Sequence, residues 1–146
     1  MEDRQMKQHT FFKKIGAFSV NLESSRNTLT SLRYAVESME RPHSSLFIYP
    51  EGKIVPFSTK KPDFKKGLAW IASKCPDADF VPVGIYIHTA ASDKPELFLQ
   101  IGNAVDIQAE KNHDVLNEIL EIKLQNLILE LVDGSFTNKE KFKKLI

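Results

Sequence analysis

Pro50, Glu51 and Gly52 follow the apolar run Leu46-Phe47-Ile48-Tyr49 and read as the turn into which a buried strand empties. Pro50 fixes its own φ and has no amide proton, so a ladder cannot continue through it. Gly52 can take the positive φ that lets the backbone double back. Glu51 is then displayed at the strand's carboxyl end, the edge of an open α/β sheet where ligands bind. A carboxylate there can hold a hydroxyl or a cationic group, and Lys53 beside it offers a compact point charge. A second apolar run, Phe80-Val81-Pro82-Val83-Gly84-Ile85-Tyr86-Ile87, again carries a proline near its start. Two such strands joined by a helix are expected to border one cleft, shared by the turn that displays Glu51 and the strand that carries Pro82.

The elements that must position these residues follow from periodicity and punctuation. Residues Glu2 to Lys14 look like the tail of a helix, and Ile15 to Val20 like a short strand. Ser24 or Ser25 can cap a helix whose apolar positions Leu29, Leu32, Val36 and Met39 recur at three- and four-residue steps, ending near Arg41-Pro42. Ser45 to Tyr49 is the strand feeding Pro50-Glu51-Gly52. A polar, lysine-rich loop containing Pro56 and Pro62 follows, and loops of this kind in compact domains are often functional. Lys66 to Lys74 is expected to be a helix with Leu68, Trp70 and Ile71 inward, followed by a strand from Phe80 to His88, a turn, and an antiparallel partner from Glu96 to Ile101. Asn112 can cap a long helix stopped by Gly134. Thr137 and Glu140 then form a capping-box pattern for a short closing helix with Phe142, Leu145 and Ile146 on one side. Alternating strands and helices give an α/β domain with a mixed central sheet flanked by helices. At 146 residues the chain is expected to be a single domain.

Composition narrows the function classes. A hydrophobic fraction of 42% and ten phenylalanines belong to a globular protein rather than a disordered one. The net charge of +1 gives no overall field for nucleic acid. The clusters at Lys7 to Lys14, Lys60 to Lys66 and Lys139 to Lys144 read as solvated faces, although the last, beside Phe142 and Leu145, would also suit an anionic lipid surface. No apolar stretch approaches the roughly 20 residues that cross a bilayer. The single cysteine, Cys75, is expected to be a small core residue in a reducing compartment. No metal ligands are expected.

Taken together, Ile15-Gly16-Ala17-Phe18-Ser19-Val20-Asn21, Tyr49-Pro50-Glu51-Gly52 and Val81-Pro82-Val83 resemble, in order and spacing, the motif blocks of the glycerolipid and phospholipid acyltransferase family. Phe64-Lys65-Lys66-Gly67-Leu68-Ala69 resembles the aromatic and glycine that open a helix between the second and third blocks. The likeness spans Phe11 to Ile87. It implies a lysophosphatidic acid acyltransferase-like domain that passes a fatty acyl group from acyl-CoA or acyl carrier protein, as co-substrate and without further cofactor, to a hydroxyl of a lipid acceptor. Pro50, Glu51, Gly52, Lys53 and Asn21 are the acceptor-binding residues this implies, and Pro82 and Val83 the acyl side of the cleft. It further implies an acyl donor and a lipid as partners, no nucleic acid, and a peripheral position on the cytoplasmic face of a membrane.

Two departures qualify the resemblance. The family's His-x-x-x-x-Asp block, whose histidine serves as general base, has no counterpart before Gly16, so it is expected upstream of Met1. The chain is then an amino-terminally truncated portion that is inactive by itself. The alternative is a non-catalytic lipid-binding or interaction domain on the same scaffold. His88 and Asp93 have the right spacing, but they fall after the third block in the turn of a hairpin, where so short a pattern arises by chance. The arginines with which many relatives grip a glycerol phosphate are also replaced: Lys53 and Ile54 follow Pro-Glu-Gly, and Asn21 and Leu22 stand in the first block. Lysine supplies a charge but not the bidentate fork, so acceptors without a phosphate are equally compatible. Arg26 and Arg33 are the remaining arginines nearby, expected to be exposed on their helix.

Overall fold

The computed structural model describes residues 11, 16–18, 25–53, 55–89, 94–107 and 110–145. It divides into two compact units, Met1–Ile48 and Tyr49–Ile146.

In the first unit, helix α1 spans Ser25–Met39. Three of its hydroxyls bond back onto the preceding turn and do not break it: Thr30, Ser31 and Ser38 donate to the carbonyls of Arg26, Asn27 and Tyr34 at 3.0, 3.1 and 2.7 Å. Ala35 is its buried position, and Arg26 and Arg33 are exposed. The helix closes with Ser44, whose hydroxyl donates to the carbonyl of Met39 at 3.0 Å, and with His43 in the left-handed region at φ 57°. Gly16, at φ 79°, begins a turn, and Ala17 and Phe18 are not part of a strand; the rest of the strand expected over Ile15 to Val20 lies outside the described residues.

The strand expected over Ser45 to Tyr49 is not formed. These residues make no ladder, and Phe47 and Tyr49 are 84% and 87% exposed. β-rich composition supplies the side chains of a strand, but the backbone becomes one only against a neighbour's N–H and C=O groups. The sheet among the described residues is therefore two-stranded and antiparallel, smaller than the mixed central sheet the sequence leads one to expect.

In the second unit, helix α2 spans Gly67–Lys74 and buries Ala69, Ile71 and Ala72, with Leu68 and Trp70 half-buried. Strands β1, Val83–His88, and β2, Glu96–Ile101, pair from Val83↔Ile101 to His88↔Glu96. A bridge between Phe80 and Val105 continues the pairing beyond them. Helix α3 spans His113–Thr137 and starts as its sequence dictates, with Asn112 Oδ1 accepting from the amides of Asp114 and Val115 at 2.9 and 3.4 Å. It crosses one face of the hairpin, and Gly84 allows the close approach: a Cβ there would lie 3.0 Å from Leu131 Cδ2. Phe64, Ala69, Ala72, Val105, Ile107, Leu116 and Leu120 form the core where α2 and α3 meet. The other face of the hairpin carries Val83, Ile85 and Ile87 opposite Ile101, Leu99 and Leu97, and all six are exposed.

Two expectations at the carboxyl end are corrected. Gly134 does not stop α3, which continues to Thr137; the glycine is buried in the helix and leaves room for the ring of Phe142, which would stand 3.4 Å from a Cβ. The closing helix is a single 3-10 turn, Lys139–Lys141. Thr137 does not cap it, because its hydroxyl bonds back to the carbonyl of Asp133 at 2.8 Å as a residue still inside α3. Phe142 packs edge-on against Phe98, and Leu145 is exposed. Among the described residues no helix is long and apolar enough to cross a membrane.

Candidate functional site

Tyr49 to Gly52 form a β-turn in which the Gly52 amide donates to the Tyr49 carbonyl at 3.2 Å. Proline at the second position and glycine at the fourth suit a type I turn, and Glu51 at the third keeps a negative φ. Gly52 takes φ 67°, the left-handed conformation expected of it. A second bond fixes the turn from outside, as the Lys65 amide donates to the Pro50 carbonyl at 2.9 Å. The turn is therefore tied to the residues that lead into α2.

Glu51 is half-buried and makes no hydrogen bond or ion pair among the described residues, although the turn beneath it is bonded at both ends. Four other carboxylates of this unit are paired with lysines, Asp63 to Lys65 at 3.4 Å, Asp114 to Lys66 at 3.1 Å, Glu96 to Lys139 at 2.6 Å and Glu121 to Lys61 at 2.9 Å, and Asp77, Asp79, Glu118 and Glu140, which form no ion pair among the described residues, are exposed where Glu51 is half-buried. These pairs also sort the lysines of the loop. Lys61, Lys65 and Lys66 are engaged, whereas Lys53 and Lys60 are exposed and form no ion pair among the described residues. Lys53 is thus the uncommitted cation beside the uncommitted carboxylate.

Pro82 is half-buried and its ring lies against Gly102, whose amide donates to the Pro82 carbonyl at 2.9 Å. Val83, the next residue, belongs to the exposed apolar face of β1. The loop after the turn reaches β1 through Phe57, whose ring lies 4.9 Å from that of Tyr86. Asn21 lies outside the described residues. The turn, the aromatic that precedes α2 and the proline-bearing strand all belong to this second unit, and their order along the chain is the order of the motif blocks.

A family model described as Acyltransferase matches residues 4–90, more than half of the chain. The chain belongs to the acyltransferase family. No curated protein and no solved structure gives a match. The acyltransferase match takes in the Pro-Glu-Gly turn, α2 and the whole of β1, while β2 and α3 fall beyond it.

Within this acyltransferase-family chain, His88 stands at the carboxyl end of β1. Its ring is stacked between Phe98 and Phe136, at 5.2 and 4.7 Å and 14° to each, in the aromatic packing against α3; Asp93 lies outside the described residues. Cys75 is half-buried at the end of α2, its amide donating to the carbonyl of Ile71 at 3.0 Å. No three His, Cys, Asp or Glu side chains among the described residues come together as metal ligands.

Sequence reasoning missed one participant, Glu121. This residue of α3 is 8% exposed, and its carboxylate accepts the Phe64 amide through Oε1 at 2.8 Å and pairs with Lys61 through Oε2 at 2.9 Å. Burial of a glutamate in an otherwise apolar stripe is the signal that would have found it, since such a group is kept only where it is bonded.

Proposed function

We propose that this chain forms the acceptor-binding part of an acyltransferase that passes a fatty acyl group from a thioester carrier, acyl-CoA or acyl carrier protein, to a hydroxyl of a lipid. The observation that carries this reading is Glu51: a half-buried carboxylate with no partner among the described residues, on a turn fixed by two backbone hydrogen bonds, in the motif block that resembles the family's acceptor site. A fixed, uncommitted carboxylate can accept the hydrogen bond of an incoming hydroxyl without a prior rearrangement. Lys53 adds one point charge, which tolerates a phosphate but does not demand one.

Acyl transfer also needs a base for the hydroxyl proton and donors for the developing oxyanion. The sequence holds no His-x-x-x-x-Asp block ahead of Gly16, so the reading assigns acceptor recognition to this chain and no turnover to it alone. The acceptor and the acyl chain being lipids, the chain works at a membrane surface, on its cytoplasmic face and without spanning it. Val83, on the exposed apolar face of β1, is the residue assigned to the acyl side; Pro82 sets the backbone that presents it.

Co-sedimentation of the purified chain with vesicles of phosphatidylcholine, with and without lysophosphatidate or monoacylglycerol, tests this. Binding that rises with the hydroxyl-bearing lipid and falls several-fold in Glu51→Gln supports it. Equal binding to both vesicles, or no change in Glu51→Gln, overturns it.

A further inference from the structure

The described part of the loop between the Pro-Glu-Gly turn and α2 has little regular structure of its own, yet from Thr59 to Lys66 it is held by one polar stripe on α3. Gln125 donates to the Thr59 carbonyl at 3.2 Å, Glu121 takes the Lys61 ammonium and the Phe64 amide, and Asp114 pairs with Lys66 at 3.1 Å. These three residues are spaced by one and two turns and so share a face of the helix. Their ranks are unequal. The Lys66 and Asp114 side chains are 81% and 73% exposed and contribute little, whereas the Glu121 side chain is 11% exposed and has both oxygens engaged. Phe64 is held twice, its ring in the core with Leu116 and Leu120 and its amide on Glu121. The next amide along the chain, that of Lys65, is the one that bonds the Pro50 carbonyl.

We propose that Glu121 is a positioning residue for the Pro50-Glu51-Gly52 turn, acting through the consecutive amides of Phe64 and Lys65. The inference rests on the acceptor-site reading for its functional meaning, but the mechanical link stands on geometry alone. Helix α3 lies beyond the span matched by the family, so this chain sets the angle of its motif turn with a residue from outside the motif-bearing region. Fixing Phe64 fixes Lys65; Lys65 in turn holds the proline from which Glu51 projects. A change in Glu121 therefore loosens the turn before it loosens the hairpin, which shares no hydrogen bond with that carboxylate.

Amide hydrogen exchange on the 15N-labelled chain reads this without any ligand. Glu121→Gln keeps an acceptor for the Phe64 amide but loses the charge, and exchange at Phe64 and Lys65 should quicken by about tenfold, with a shift of the Gly52 resonance and no change along β1 and β2. Glu121→Ala should quicken the same amides further. Lys61→Met, which leaves the Phe64 bond intact, should leave Phe64 and Lys65 near their original rates. Should the alanine variant fail to fold, the glutamine and Lys61 variants decide alone. Quickening at Phe64 that does not reach Lys65 and Gly52, or an equal rise across the hairpin, overturns the proposal. Vesicle binding of the same variants separates the two readings: expected exchange with binding unaltered in both Glu51→Gln and Glu121→Gln retains the link and removes the acceptor assignment.

Discussion

Pro82 covers Gly102 so closely that a methyl group on the glycine would stand 2.9 Å from Pro82 Cγ and 3.4 Å from Leu127 Cδ1. The proline of the third motif block is thus packed where β2 ends and α3 passes, and its neighbour Val83 is the more exposed of the two. Gly102→Ala must push a ring, a leucine and a backbone carbonyl together, and overpacking of this kind costs about 1–3 kcal/mol. Gly134→Ala is the opposite case. There the added methyl would touch the edge of the Phe142 ring at 3.4 Å, and alanine is favoured over glycine in a helix interior by about 1 kcal/mol. Urea midpoints of the two variants should therefore move in opposite directions, down for Gly102 and level or up for Gly134.

Gly52→Ala should destabilise the chain by about 1–2 kcal/mol, because φ 67° places a Cβ against the following carbonyl. Gly52→Asn should recover part of the loss, since asparagine tolerates the left-handed region. Thermal melts give the order glycine, asparagine, alanine if the turn is as described. Melting points that coincide would mean that the turn does not require its positive φ.

These two glycines show what the sequence made legible and what it did not. Gly52 followed proline and a carboxylate after an apolar run, and that local grammar specified its turn. Asn112 and the hairpin partners Glu96 to Ile101 were likewise read from neighbours in sequence. Gly134 was misread as a helix stop because its reason, the ring of Phe142, arrives from beyond the end of the helix. The strand expected at Ser45 to Tyr49 failed for a related cause: pairing is a property of two segments, and alternation in one cannot supply the other. Glu121 escaped notice because the amide it holds lies 57 residues away in the chain.

The Lys61–Glu121 pair gives the stability of the chain an alkaline edge. Hydrogen bonding to Glu121 raises the Lys61 pKa above the ordinary lysine value, opposed by desolvation and assisted by the charges of Glu121, Glu118 and Asp63. A raised folded-state pKa contributes stability that is fully present below the unfolded value of about 10.4 and is lost as pH climbs through the folded one. Melting temperature measured from pH 9 to 11.5 should fall more steeply in the parent chain than in Lys61→Met. Because the ammonium is solvent-exposed, salt should shrink the difference. Parallel curves for the two proteins would show that the pair does not contribute.

Strand β2 offers a sharper test of which face of the hairpin is interior. Phe98 is 8% exposed and packs against His88 and Phe142, while Leu97 beside it is 63% exposed and faces Ile87 across the ladder. Phe98→Ala should cost about 3–5 kcal/mol, since it empties a space that α3 and the closing turn cannot refill. The double variant Ile87→Lys and Leu97→Glu changes a directly opposed pair on the other face. Removing two exposed apolar side chains forfeits little burial, and opposite charges placed across a ladder attract, so stability should shift by no more than about 1 kcal/mol. If the double variant instead unfolds as readily as Phe98→Ala, the outer face is as deeply packed as the inner one and the hairpin is a central, two-sided element of the domain.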